Sequence, residues 1–244
     1  MKTRNLALAA AIILLCGTAA QAQQHTGNAG LFHVPSADMD EVGTARIGFY
    51  YLNDAFQSLS ANTEHWGLSG TAVGYQLAYT PYKWLSVGYI ANVQKGEETK
   101  YFQDRHFSIK VQPLREQEGK WWPSVAIGTD DPYTSEAGNY NNCFFSNYYL
   151  ALTKHFNILG GSLGVHAGYR YYTRTYNSQW TSVVGGVSYS PNFFPGLRVL
   201  AEYTGQEVNI AADCVLWDRV MLQVGLQDFK YVSGGICFLF NLKK

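Results

Sequence analysis

The chain has 244 residues with 18 basic and 18 acidic side chains, so its formal net charge is zero. This balance excludes the strongly basic surface that is typical of a nucleic-acid-binding protein. Only 15% of the residues are charged, whereas soluble domains usually carry about a quarter. The 24 glycines and the 15% aromatic content fit strands rich in Tyr, Phe and Gly better than a soluble packed core.

The chain begins with the three-part layout of a secretory signal peptide. Lys2 and Arg4 form a basic start, the apolar run 6–16 follows, and Ala20-Gln21-Ala22 provides the small residues before a cleavage site. The apolar run is well short of the roughly 20 residues that a membrane-spanning helix needs. We therefore expect residues 1–22 to be removed from an exported protein, which leaves a net charge of −2 once the two basic residues are gone.

Residues 23–42 form a short N-terminal segment, expected in the periplasm, and beyond it apolar and polar residues alternate almost to the C-terminus. This period of two is typical of strands whose faces meet different surroundings. Most of the predicted strands have about ten residues, which spans a bilayer core at a tilt of roughly 45°. The sequence thus predicts an all-β fold, a transmembrane antiparallel up-and-down β-barrel over residues 43–244. Its twelve strands are expected near 43–52, 68–80, 84–94, 103–112, 120–129, 142–155, 157–169, 180–190, 196–204, 207–216, 219–228 and 231–240.

The links and the aromatic residues favour a barrel in the outer membrane of a Gram-negative bacterium. Long polar links at 53–67, 95–102, 130–141 and 170–179 alternate with mostly shorter turns, which is the usual asymmetry between the outer and periplasmic sides. All six tryptophans fall at strand ends or in links, where an indole lies at a membrane interface. Outer-membrane lipid is therefore an expected partner.

The last strand resembles the C-terminal signal that is read by the barrel-insertion machinery, which makes this machinery a second expected partner. The signal combines a polar residue, a glycine and two aromatics, here Ser233, Gly235, Phe238 and Phe240. A secreted sandwich or propeller would show the same alternation with its apolar faces turned inward. Strand length, tryptophan placement and the terminal strand favour the membrane barrel over that alternative.

The polar face of several strands supplies candidate lumen-facing residues. If Gly205-Gln206 is a two-residue hairpin turn, Arg198 faces Asp213 and Glu202 faces Asn209 on the inner side of the barrel. A barrel of twelve strands lies between those filled by side chains and those with an aqueous channel. A thin pore and a lumen plugged by loops or by residues 23–42 both remain open. The full set of candidates is Asp104, His106, Lys110, Arg198, Glu202, Asp213 and Arg219.

No residue pattern predicts an enzyme, a cofactor or a metal site. His166 and Ser162 share a strand face but lie about 13 Å apart along it, and His106 and Ser108 about 7 Å apart, both too far for a nucleophile and its base. His155 stands at a strand end. The three cysteines of the mature chain, Cys143, Cys214 and Cys237, are odd in number and lack metal-ligand spacing. We therefore expect a non-enzymatic barrel.

Four segments, taken in order along the chain, resemble the YjbH-like family of bacterial outer-membrane proteins. These segments are GLFHVPSADMDEVGTARIGF (30–49), DRHFSIKVQPLREQEGKWWPSVAIGTDDP (104–132), SNYYLALTKHF (146–156) and GLRVLAEYTG (196–205). The resemblance implies a role in exopolysaccharide or capsule biosynthesis or export, with polysaccharide or other export components as candidate partners, and it supplies no catalytic residues. A general small porin or structural barrel is the alternative, and a lipid-modifying barrel enzyme is a more distant one.

Overall fold

The computed structural model describes residue 24 and residues 27–53, 71–95, 101–132 and 145–243. In this part of the chain the structure consists of twelve β-strands and one short 3-10 helix, Thr175–Trp180. The strands are β1 (Thr44–Leu52), β2 (Ala72–Tyr82), β3 (Leu85–Lys95), β4 (Tyr101–Leu114), β5 (Ser124–Asp130), β6 (Asn147–Ile158), β7 (Gly161–Tyr172), β8 (Ser182–Pro191), β9 (Leu197–Tyr203), β10 (Val208–Leu216), β11 (Val220–Gln227) and β12 (Tyr231–Asn241).

The strands close into a single antiparallel barrel in which each strand pairs with its neighbours in sequence and β12 pairs with β1. This confirms the predicted twelve-stranded up-and-down barrel. Each described strand therefore has a neighbour on both sides, so the sheet has no edge strand. Observed and predicted strand ends differ by up to five residues, the most at the start of β6, which was predicted at residue 142 and is observed at Asn147. β5 begins at Ser124, four residues later than predicted, because Pro123 has no N–H to donate to the ladder.

The barrel has two rims. The proximal rim contains the start of β1, the end of β12 and the turns that follow the even-numbered strands up to β10. The distal rim contains the links that follow the odd-numbered strands. Of the predicted long links on this side, residues 54–70, 96–100 and 133–144 lie outside the described residues.

The two faces of the barrel wall have opposite polarity. Along β1, Ile47, Phe49 and Tyr51 point outward and are exposed, whereas Arg46 and Tyr50 point inward and are buried. The same alternation continues round the barrel. Further exposed apolar residues include Val73, Tyr75, Leu77, Phe107, Ile109, Ile127, Leu150, Leu152, Val183, Val199, Leu222, Val224, Phe238 and Phe240. The outer surface is therefore an apolar band, and the inner surface is mainly polar.

The packed core lies inside the barrel and is built round residues 27–42, which we call the lumen plug. Leu31, Phe32 and Val34 of the plug form a buried apolar cluster with inward-facing residues of β8, β9 and β10. A Cβ atom added at Gly225 would lie 2.7 Å from the Phe32 ring, so this glycine leaves room for the ring. Of the two states that the sequence left open, the described residues show the plugged one.

Three smaller observations complete the fold. Trp84, Trp121, Trp122 and Trp217 lie in links of the proximal rim, while Trp180 is buried at the end of the 3-10 helix. Cys214 and Cys237 lie on opposite faces of the wall, and Cys143 lies outside the described residues. Among the described residues, no helix has the length and apolarity needed to cross a membrane.

The apolar outer band generates a prediction about a lipid environment. Val224 lies near the middle of β11 with 56% of its surface exposed. We expect Val224→Arg to lower the free energy of unfolding in a lipid bilayer by about 2–4 kcal/mol, because a guanidinium group near the bilayer centre loses its hydration. The measurement is denaturant unfolding of the protein folded into phosphatidylcholine liposomes, followed by tryptophan fluorescence.

The matched control is Phe229→Arg, in the turn between β11 and β12, where the side chain is 58% exposed. At the end of a strand the same charge is expected to cost no more than about 1 kcal/mol. Equal losses at the two positions would contradict the contact of the band with lipid tails.

Candidate functional site

The tip of the lumen plug is a tight hairpin that surrounds a buried carboxylate. Gly30 and Pro35 pair across the hairpin, and the Leu31 N–H donates to the Val34 carbonyl at 3.0 Å. The backbone N–H groups of Phe32, His33 and Val34 then converge on the two carboxylate oxygens of Glu202 at 2.9–3.0 Å. Successive N–H groups in such a turn form an anion-binding concavity. The anion here is a side chain of the barrel wall.

Lys110 of β4 holds the two legs of the hairpin together. Its Nζ donates to the Ala29 carbonyl at 2.5 Å on one leg, and to the Ser36 and Asp38 carbonyls at 3.1 and 2.5 Å on the other. Two residues along the same strand face, Gln112 donates to the Ala37 carbonyl at 2.5 Å. A buried ammonium group must be paired or hydrogen-bonded. The backbone carbonyls of the plug meet that requirement.

Three arginines of the wall also contact the plug. Arg170 donates to the His33 carbonyl at 3.1 Å, and Arg198 donates to the Gly30 carbonyl at 2.9 Å while pairing with Asp213 at 3.1 Å. Nearer the proximal rim, Arg46 of β1 forms an ion pair with Asp40 of the plug. The charges of the inner wall therefore serve mainly to bind the plug backbone, in addition to pairing with one another.

His33 is buried at the tip of the plug. Burial disfavours the charged imidazolium, and the neighbouring Arg170 adds to this, so the pKa of His33 falls to about 3. The side chain is neutral near pH 7. The hairpin tip therefore places no second positive charge beside Arg170.

A second cluster lies at the base of the plug, where Asp38 meets β6 and β7. Asp38 Oδ1 lies 3.8 Å from His155 Nε2, and Asp38 Oδ2 lies 3.9 Å from His166 Nδ1. The two imidazole rings are nearly perpendicular, with their centroids 5.9 Å apart. We call Asp38, His155 and His166 the basal cluster. It combines three groups that ligate metal ions in proteins.

Two hydroxyl groups flank His166. Its Nδ1 lies 3.0 Å from Thr153 Oγ1, and its Nε2 lies 3.0 Å from Ser188 Oγ. Thr153 Oγ1 also accepts the Ala37 N–H of the plug at 2.9 Å. His166 is thus within hydrogen-bond reach of hydroxyls on both adjacent strands, which the distances along a single strand do not reveal.

Glu116, in the link between β4 and β5, orients His155. The Glu116 carboxylate accepts hydrogen bonds from His155 Nδ1 at 2.5 Å and from the His155 backbone N–H at 3.0 Å. Lys154 Nζ lies 3.2 Å from the same carboxylate. Partial burial would raise the pKa of Glu116, but the hydrogen bonds from the His155 side chain, the His155 backbone and Lys154 outweigh it and hold the pKa below its usual value. The carboxylate is ionised near pH 7.

Asp38 is held as a carboxylate in the same way. Burial alone would raise its pKa, but the neighbouring His166, His155 and Lys110 and the hydrogen bond from Ser36 together lower it. The Ser36 Oγ donates to Asp38 Oδ2 at 3.0 Å. The basal cluster therefore presents an anionic oxygen ligand beside two imidazoles.

The structure places the sequence-predicted residues as follows. His106, Lys110, Arg198, Glu202 and Asp213 are buried on the inner face of the wall, and Arg198 and Glu202 stand opposite Asp213 and Asn209 as the hairpin register predicted. Asp104 lies in β4 opposite Asn92, and its side chain is outside the described residues. Arg219 differs from the expectation. It lies exposed in the turn between β10 and β11, because β11 begins only at Val220.

Sequence reasoning missed the roles of Arg46, Arg170, Asp38, His155 and His166. The wall residues among them occupy inward-facing positions in the alternation of buried and exposed residues along their strands. That alternation could have identified them from the sequence. No signal in the sequence brings Asp38 to the two histidines, because they lie more than a hundred positions further along the chain.

Removing the charge of Glu202 tests the anchoring of the plug. We expect Glu202→Gln to lower the free energy of plug release by about 1.5–3 kcal/mol, the usual strength of hydrogen bonds to a charged group. Hydrogen exchange of the amides of residues 32–34 should then be faster by roughly ten- to a hundredfold. The measurement is native-state hydrogen exchange followed by mass spectrometry.

Glu207→Gln is the matched control, since Glu207 is a partly buried carboxylate in the link between β9 and β10. The N–H groups of residues 32–34 donate to Glu202 and not to Glu207, so neutralising the Glu207 side chain is expected to leave their exchange unchanged. Unchanged exchange in Glu202→Gln would show that the plug does not depend on this anchor.

Comparison with solved structures finds a similar barrel in LpxR from Salmonella typhimurium. The two share 12% sequence identity, with a TM-score of 0.43, over 80% of this chain and 100% of the other. The expectation of a non-enzymatic barrel does not stand. The argument for it considered distances along single strands, whereas strand pairing brings the Thr153 and Ser188 hydroxyls within 3.0 Å of His166.

Comparison with protein families and with curated proteins completes the picture. No curated protein matches the chain. A family model described as YjbH, exopolysaccharide biosynthesis protein, matches residues 22–212. This match covers the plug and all strands through most of β10. The chain therefore belongs to the YjbH family of exopolysaccharide biosynthesis proteins.

Proposed function

We propose that the protein is a plugged barrel of the Gram-negative outer membrane that acts in the production or export of exopolysaccharide. The observation that carries the polysaccharide role is the family match over residues 22–212. The physical argument for the location is the apolar outer band. Large apolar side chains exposed on every side of a closed barrel are stable against lipid and unfavourable against water.

The proximal rim supports a particular orientation in that membrane. Trp84, Trp121 and Trp217 are exposed there, and indole groups partition to the membrane interface. The first strand begins at this rim, the last strand ends there, and the shorter turns also lie there. In outer-membrane barrels the shorter turns are on the periplasmic side. The basal cluster would then face the periplasm. Expected partners are outer-membrane lipid, the insertion machinery that reads β12, and polysaccharide or other export components.

The lumen plug bears on how such a barrel acts. Residues 27–42 are held by Lys110, Arg198, Glu202 and further wall residues, and they fill the interior between the strands. A polymer cannot share that space with the plug. The barrel therefore acts in one of two ways: through its rims while the plug is in place, or after a partner has displaced the plug.

Deletion of the gene tests the polysaccharide role. We expect loss of surface or secreted exopolysaccharide, restored by the wild-type gene and by Arg219→Gln, which alters only an exposed turn. The measurement is quantification of extracellular glycan together with the amount of folded barrel in outer-membrane fractions. Normal glycan in the deletion strain would remove the polysaccharide role, and a protein found only in soluble fractions would remove the membrane location.

A general small porin is the alternative function, and the charged inner wall is the observation that favours it. The contacts of the plug predict instead that the wild-type protein carries no steady current in planar bilayers. We expect Glu202→Gln to show brief openings, because its plug is held less firmly, and Glu207→Gln to remain silent. A steady ohmic current from the wild-type protein would favour the porin.

A further inference from the structure

We propose that the basal cluster of Asp38, His155 and His166 binds one divalent transition-metal ion of the zinc class, which fastens the lumen plug to the barrel wall. The two histidines belong to adjacent wall strands, β6 and β7, and Asp38 belongs to the plug. An ion held by all three would be a cross-link between the N-terminal segment and the barrel. The proposal does not depend on the polysaccharide role or on the membrane location.

The spacing of the three ligands fits a metal ion. One potential ligand atom from each residue lies within 4.8 Å of the other two. A tetrahedral zinc ion with bonds of about 2.1 Å keeps its ligand atoms about 3.4 Å apart. Asp38 Oδ1 lies 3.8 Å from His155 Nε2 and Asp38 Oδ2 lies 3.9 Å from His166 Nδ1, so the two contacts use different carboxylate oxygens. With one ligand atom from each residue no separation exceeds 4.8 Å, so none has to shorten by more than about 1.4 Å, which side-chain rotations can supply.

The hydrogen bonds round His155 leave the correct ring nitrogen free for a metal. A carboxylate only accepts hydrogen bonds, so Glu116 requires the proton of His155 to be on Nδ1. In the neutral ring, Nε2 then carries a lone pair that points towards Asp38. Two electron-rich groups facing each other favour a cation between them. The same carboxylate–histidine arrangement orients the ligands of zinc sites in proteins.

His166 is arranged in a comparable way. With its proton on Nε2 it donates to Ser188 Oγ, and Nδ1 is then the acceptor that faces both Asp38 and Thr153. In this tautomer the Ser188 hydroxyl accepts the hydrogen bond on the side of the ring opposite to the proposed ion. Gly164 allows this approach, because a Cβ atom there would lie 2.6 Å from Ser188 Oγ and 2.7 Å from His166 Nε2.

The ligand types and their burial indicate the class of ion and its route. Two imidazoles and one carboxylate suit zinc and its neighbours among the transition metals, whereas calcium and magnesium prefer oxygen ligands. The Asp38 and His166 side chains are almost fully buried, but one third of the His155 side chain is exposed near the proximal rim. An ion can enter from that rim. Three protein ligands also leave a fourth position for water or another small ligand.

The competing explanation is that the cluster is held by protons and hydrogen bonds alone. Thr153 and Ser188 then satisfy His166, and Ser36 satisfies Asp38. This explanation accounts for His166 and Asp38; for His155 it requires a protonated ring whose Nε2–H faces Asp38 Oδ1 at 3.8 Å, which is longer than a hydrogen bond. The metal site accounts for all three residues, and the two explanations differ in a measurable way.

The test is zinc binding to the purified, folded full-length mature protein in detergent after removal of metals with a chelator. We expect isothermal titration calorimetry to give one zinc ion per chain. Glu116→Gln should weaken binding by about 10–100-fold, the usual effect of losing a hydrogen-bond partner behind a zinc ligand. Asp38→Asn and His155→Gln should weaken it at least as much. The matched control is His106→Gln, a buried inward-facing histidine of β4 outside the basal cluster, which should bind zinc like the wild type.

A second measurement needs no variant, in case substitutions of buried residues prevent folding. Cobalt bound to the wild-type protein should give the visible absorption of a four-coordinate site with nitrogen and oxygen ligands. Zinc should also slow hydrogen exchange of the plug amides near Asp38 relative to chelator-treated protein. The proposal is overturned if the wild-type protein binds neither ion stoichiometrically, or if folded Asp38→Asn and His155→Gln bind zinc as tightly as His106→Gln.

Discussion

The carboxylate of Glu202, surrounded by three backbone N–H groups of the plug tip, shows the constraint on which the rest of the structure depends. Inside a narrow closed barrel there is little water to solvate a charge or a peptide group, so each must find a partner within the protein. The wall supplies charges and the plug supplies backbone groups. Lys110, Arg170 and Arg198 bind plug carbonyls for the same reason that Glu202 binds plug amides. The polar groups of the wall and of the plug are each other's hydrogen-bond partners, and neither set would be fully paired without the other.

This reciprocity explains why the segments that carry the family resemblance meet in space. Residues 30–49 provide the plug and the first strand, 104–132 provide Lys110 and Glu116, and 146–156 provide Thr153 and His155. Residues 196–205 provide Arg198 and Glu202. Segments that are separate along the chain therefore form one continuous set of contacts inside the barrel, running from the hairpin tip to the basal cluster at the proximal rim.

The two faces of the barrel wall have different surroundings. The outer band is apolar and exposed, and the inner wall binds one particular segment of the chain, residues 27–42. A ligand that binds Asp38 together with the histidines would favour the plugged state, and a ligand that binds only the wall would favour release.

The sequence by itself determined the local structure: twelve strands, their inner and outer faces, and the pairing of Arg198 with Asp213 across a two-residue turn. These features follow from a period of two and from short turns, which involve neighbours in the chain. Arg219 was predicted to face the lumen because the alternation of polar and apolar residues does not show where a strand begins. Only the tertiary structure decided that residues 27–42 fill the lumen, and that Asp38 meets His155 and His166. Those contacts join residues as much as 170 positions apart, and they exist only once the barrel has closed round its own N-terminal segment.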